Sequence, residues 1–151
     1  MLKLTSYGFI SLALCAATTV ASASTLLVKT TAPGFVMQEY ALYTTCTLDD
    51  QGLLIKTSRL NGLSSKKTTV EQFSVVSIRK AIADAATGTI KKPDAQIADM
   101  PSTVYQGYYK KAGGKMTKVF LYEDSGAPEQ NTYNESASAM TLRNFMDAVC
   151  K

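Results

Sequence analysis

The sequence predicts an α+β fold: a mainly antiparallel sheet of about five or six strands with two helices packed on one face, in the order β-β-β-(β)-α-β-β-α. Three observations predict it. Strand-like segments fill the first half, the clearest with period-two alternation over residues 35–48, and recur before the last helix. Two other segments, one central and one terminal, repeat apolar residues at helical spacing. Beyond the first two dozen residues the chain has two cysteines, Cys46 on the apolar phase of a strand and Cys150 at the end of a helix. A bridge between them would pin that helix to that strand.

The first residues read as an export signal rather than as part of the fold. Lys3 supplies an early positive charge, residues 9–20 form a short apolar run, and Ala21-Ser22-Ala23 ends it with small residues. The run is too short to span a bilayer as a helix. A lipid-modified Cys15 would need a small residue before it, and Leu14 stands there. The expected organisation is therefore a cleaved signal peptide, residues 1–23, and one disulfide-stapled globular domain, residues 24–151. The expected location is the periplasm or the extracellular medium, and the Ala/Ser-rich signal leans bacterial. In an oxidising compartment an even pair of cysteines forms a disulfide by default.

Along the domain, residues 25–31 read as a strand stopped by Pro33-Gly34. Residues 35–48 read as a long strand with Val36, Tyr40, Leu42, Cys46 and Leu48 on one face. Asp49-Asp50-Gln51-Gly52 is a hairpin turn, with Gly52 free to adopt the left-handed conformation. Residues 53–60 return as its partner, without enough alternation to fix the inward face. A further strand is expected over 66–73. Ser74 caps a helix whose apolar stripe is Val75, Ile78, Ile82 and Ala85, and Gly88 is expected to close it in the left-handed conformation. Residues 89–102 read as a long loop. Residues 103–110 and 116–123 form a second hairpin, and residues 125–134 a polar loop. The last helix, from about Ser136 to Val149, carries Ala139, Leu142, Phe145, Met146 and Val149 on its apolar side and Arg143, Asn144 and Asp147 toward water.

The chemistry available is narrow. The chain has no histidine, which removes Ser-His and Cys-His nucleophile pairs and most zinc sites. Oxidised cysteines provide neither a thiolate nor a metal ligand. No glycine-rich phosphate loop of either common spacing occurs. Ser64-Ser65-Lys66-Lys67 contains Ser-x-x-Lys, but in a turn before a strand rather than at a helix start, so it reads as a chance match. Asn134-Glu135-Ser136 fits the glycosylation sequon. The net charge is +4 with the lysines scattered, which argues against nucleic acid. No enzyme activity, cofactor or metal is expected.

The suggestive feature is the second hairpin. Tyr105 and Tyr109 share one face of its first strand, and Phe120 and Tyr122 share one face of its second. If helices cover only the other face, these four residues form a candidate binding face, because tyrosine buries area while keeping its hydroxyl bonded. The expected function is a small secreted or periplasmic protein-binding module, such as an enzyme inhibitor, with self-association a further use of the same face. A small-ligand carrier with a pocket between sheet and helices is the alternative, and a hydrolase without histidine a distant third. No membrane contact is expected after signal cleavage.

Overall fold

The computed structural model describes residues 23–60, 62–94 and 99–151, so the expected export signal lies, apart from Ala23, outside the described residues. The elements are β1 (Thr25–Ala32), β2 (Tyr43–Asp49), β3 (Leu53–Arg59), β4 (Leu63–Thr69), α1 (Val75–Ala85), β5 (Ile90–Lys91), β6 (Ser102–Lys110), β7 (Met116–Asp124), β8 (Thr132–Asn134) and α2 (Ala137–Val149). The fold is α+β. All eight strands belong to one antiparallel sheet, in the order β4-β3-β2-β1-β6-β7-β8-β5. The count exceeds the expected five or six because β5 and β8 lie in segments read as loops. At two and three residues they are too short to show a period.

Register fixes which residues share a face. Leu48, Leu27, Gly107 and Val119 are successive partners across β2, β1, β6 and β7. Cys46, Lys29, Tyr105 and Tyr122 form the next row on the same side. Both helices lie on this side. Ile82 of α1 sits over Gly107, where an added Cβ would come within 3.0 Å of its Cγ2. Leu142 and Met146 of α2 complete a core with Leu27, Leu48, Ile82 and Leu121, all closed to solvent. Burying each such side chain contributes about 1.5–3 kcal/mol. The other side of the sheet carries rows such as Lys67–Ile55–Thr47–Val28–Gln106–Phe120.

Both helices start as the sequence implies. The Ser74 hydroxyl accepts from the Ser77 N–H, and the Ser136 hydroxyl from the Ala139 N–H. Gly52 has φ +78° in the β2–β3 turn, where Asp49 Oδ1 accepts from the N–H groups of Gln51 and Leu53 at 2.9 Å each. Cys46 and Cys150 are joined by a disulfide, with their Cα atoms 6.2 Å apart and the two residues separated by 104 positions in sequence.

Several expectations are corrected. Residues 35–48 are not one strand; pairing begins at Tyr43, and a single 3-10 turn occupies Gln38–Tyr40. The strand expected at 66–73 runs from Leu63 to Thr69, because its partner β3 begins at Leu53 and beyond it lies the β2–β3 turn. The Val70 N–H donates to the Gly52 carbonyl at 2.9 Å, and the Phe73 ring covers Gly52. α1 ends at Ala86 in the right-handed conformation, and Gly88 is not among the glycines with positive φ. Asn134 of the sequon is buried and fully bonded, so its side-chain nitrogen is closed to a glycosylating enzyme.

Candidate functional site

The four aromatic residues of the β6–β7 hairpin do not form one surface. Tyr105 and Tyr122 are opposite partners on the helix side, 4 % and 9 % exposed. Phe120 pairs with Gln106 on the other side, and Tyr109 is half-buried against the core. The cause is a β-bulge. Between Tyr105 and Gln106 the register skips Leu121, which places Leu121 and Tyr122 together in the core. Strict alternation had set Tyr122 beside Phe120; one extra residue moved it across the sheet.

Tyr105 and Tyr122 instead anchor α2. Their rings meet edge to face at 6.1 Å, and the Arg143 guanidinium stacks 3.7 Å from the Tyr122 centroid. The Tyr105 hydroxyl donates to Asp147 Oδ1 at 2.6 Å, and Lys29 Nζ reaches the same oxygen at 2.6 Å. Arg143 Nε lies 3.9 Å from the other Asp147 oxygen. Arg143 and Asp147 were expected to face water; they turn onto the sheet because β1 and β6 supply partners. Burial, reinforced by the Asp147 hydrogen bond and charge, holds the Tyr105 phenol far above its usual range. Burial also pushes the Asp147 carboxyl up. Hydrogen bonds from Lys29 and Tyr105, with the charges of Lys29 and Arg143, outweigh it and leave Asp147 below the usual carboxylate range.

A pH dependence follows. A depressed carboxyl contributes stability that is complete above its unfolded value, about 3.9, and is lost as pH falls through the lower folded value. Asp147→Asn is expected to melt about 2–4 °C below the wild type near pH 7, a small effect because the carboxylate is partly solvated. The difference should start to narrow below about pH 4 and close once the pH is below the lower folded value. Thermal melts of both proteins from pH 2 to 7 check this, and a gap that stays constant down to pH 2 contradicts it.

Exposed apolar area lies elsewhere, around the segment preceding β2. The Phe35 N–H donates to the Asp99 carbonyl at 2.8 Å, and the backbone of Gly34 packs against Asp99 and Pro101 so closely that a Cβ there would clash. This fixes the start of the segment, and the turn at Gln38–Tyr40 fixes its middle. Phe35, Val36, Met37, Tyr40, Leu42 and Tyr43 are all exposed, Phe35 at 86 %. The β3–β4 tip adds Leu60 and Leu63, the latter 76 % exposed. The two pieces are one surface: Tyr43 pairs with Arg59 and Arg59 with Leu63, and Val36, Ala41, Tyr43 and Leu63 line a shallow groove of about 960 Å³.

None of these residues was singled out as a site in the sequence. The signal was present, because residues 35–43 are apolar on both strand phases and follow Pro33-Gly34. A half-buried strand alternates; a segment apolar on both phases without pairing leaves side chains exposed.

A second open concavity, of about 780 Å³, lies between the β2–β3 turn, α1 and the end of β6. Ser24, Asp50, Arg79, Tyr109 and Lys110 contribute to its walls. Ser64 and Lys67 of the Ser-x-x-Lys match sit on the exposed edge strand β4. Among the described residues no helix is long and apolar enough to cross a membrane, and the disulfide fits an oxidising compartment. No protein-family model, curated protein or solved structure matches the chain.

Proposed function

We propose that the chain is a small exported binding protein, without catalytic activity, that docks another protein on the apolar end of its sheet. The observation that carries this reading is the set of exposed large side chains Phe35, Val36, Met37, Tyr40, Tyr43 and Leu63, of which Val36, Tyr43 and Leu63 line one groove. Large aromatic and aliphatic side chains held in one geometry lose little entropy on binding, and contiguous apolar patches of this kind mark interaction sites. The groove between Ala41 and Leu63 suits an apolar side chain presented by the partner, with Arg59 at its edge for a polar contact. The lack of histidine and the use of both cysteines in a bridge support a binding role over catalysis.

The test is capture that depends on the patch. Residues 24–151 are immobilised and exposed to the native envelope fraction or medium, in parallel with a Phe35→Ser/Leu63→Asp double variant. Both changed residues are exposed, so the melting temperature should stay within a degree or two. Recovery of the bound partner should fall at least about tenfold. Equal recovery by the two proteins would refute the reading. Sedimentation of the isolated chain runs alongside, and a dimer abolished by the same substitutions would make the occupant a second copy.

A further inference from the structure

We propose that the Ala23–Ser24 bond is the processing site and that the α-ammonium of Ser24, once free, forms an ion pair with Asp50 that ties the start of β1 to the β2–β3 turn. The position of the cut rests on the export reading; the ion pair rests on geometry. Ser24 N lies 2.9 Å from Asp50 Oδ1, and the Ser24 hydroxyl donates to Asp50 Oδ2 at 2.7 Å. The Asp50 N–H donates in turn to the Ser24 carbonyl at 2.9 Å. Residue 24 is therefore held at three points by one residue of a tight turn. Arg79 of α1 approaches Asp50 Oδ2 at 2.9 Å from the other side. The Ser24 hydroxyl and backbone N–H, then Gln51 and the Arg79 charge, hold the Asp50 carboxyl below its usual range against the opposing effect of burial. At neutral pH the carboxylate is ionised and the amine protonated, so the two charges are present together.

Hydrolysis of the Ala23–Ser24 peptide by a signal peptidase consumes one water. It leaves a carboxylate on Ala23 and an amine on Ser24, and the amine takes up a proton at neutral pH. An amide donor at 2.9 Å from a carboxylate thereby becomes a cation at the same place, and a charge-assisted bond is stronger than a neutral one. The neighbours set the bond to be cut. Ala23 is exposed while Ser24 is half-buried against the turn. A cut one residue earlier would displace the charge from Asp50, and one residue later would remove Ser24 and all its contacts. Arg79 and Lys110 are the other cations of this concavity and oppose the new charge, but neither replaces the direct contact.

The experiment compares two chains released from a cleavable fusion, one beginning at Ser24 and one retaining Ala23, each with Asp50 or with Asp50→Asn. The Ser24 chain should melt about 2–5 °C above the Ala23-extended chain at low salt, and the gap should vanish with Asp50→Asn. No gap, or an undiminished gap with Asp50→Asn, overturns the ion pair. If Asp50→Asn does not fold, a chain with Ser24 α-acetylated replaces it. That chain keeps the hydroxyl, loses the charge and should melt like the extended form; melting like the free amine overturns the pair. The cut is read separately by the intact mass of the protein recovered from an exporting host, and a first residue other than Ser24 refutes the cut without touching the melting comparison.

Discussion

Replacing Cys150 with Ser should lower the melting temperature by roughly 10–20 °C. The bridge closes a loop of 104 positions. On the chain-entropy account this stabilises the fold by about 4–5 kcal/mol, out of a total of about 5–15 kcal/mol for a domain of ordinary stability. The geometry explains why little else substitutes for it. α2 packs over β1 and β7, whereas the bridge is its covalent link to β2. Near the bridge the chain end gains one polar contact, an exposed hydrogen bond from Lys56 Nζ to the Lys151 carbonyl at 3.1 Å. Calorimetry of the oxidised wild type, the reduced wild type and the variant checks the prediction. The last two should coincide, and residues 24–151 of the wild type should show no free thiol under non-reducing conditions. Coincidence of all three melts would mean the bridge does not stabilise the native state.

How far the sequence reveals this architecture depends on the range of the interactions that set each element. The helices were legible because their determinants are local: Ser74 as a cap, a start near Ser136, and stripes ending in Ala85 and Val149. The disulfide was legible because strand phase and helix phase agreed on where Cys46 and Cys150 point. The bulges were not legible. Leu26 and Leu27 are both buried because the β1–β2 register skips Leu26, as the β6–β7 register skips Leu121. A pair of adjacent apolar residues does not say which one is extra. The inward turn of Asp147 was equally hidden, since its partners Lys29 and Tyr105 lie 118 and 42 positions away. The apolar site was misread for a related reason. Residues 35–42 have the composition of a strand, but pairing at that end of the sheet stops at Tyr43, and pairing is a property of the partner strand as much as of the segment.

Gly88 carries the other large expected effect, for a reason different from the one its position after a helix suggests. A glycine placed to adopt a left-handed cap tolerates asparagine better than other replacements. Gly88 is not left-handed; it is small because Asn134 lies against it. A methyl group at Gly88 would run into Asn134 Oδ1 and stand 3.0 Å from Asn134 Cγ and from Ser136 Cβ. Asn134 cannot yield cheaply. Its amide donates to the Ala85 carbonyl at 2.8 Å and to the Phe120 carbonyl at 3.0 Å, and its oxygen accepts from the Ser136 N–H at 3.0 Å. One buried side chain thus joins the end of α1, the strand β7 and the N-cap of α2. Displacing it strands buried polar groups at about 1–3 kcal/mol each, so Gly88→Ala should cost about 2–4 kcal/mol. Gly88→Asn, being larger, should cost at least as much, the reverse of the order for a left-handed cap. In an Asn134→Ala background the clash with Oδ1 is gone and the close approach to Ser136 Cβ remains, so Gly88→Ala should then cost about 1–2 kcal/mol less than in the wild type. Denaturant unfolding of the four proteins in this cycle measures the coupling directly. Additive costs, or an asparagine at position 88 more stable than an alanine, would show that backbone conformation rather than space selects glycine there.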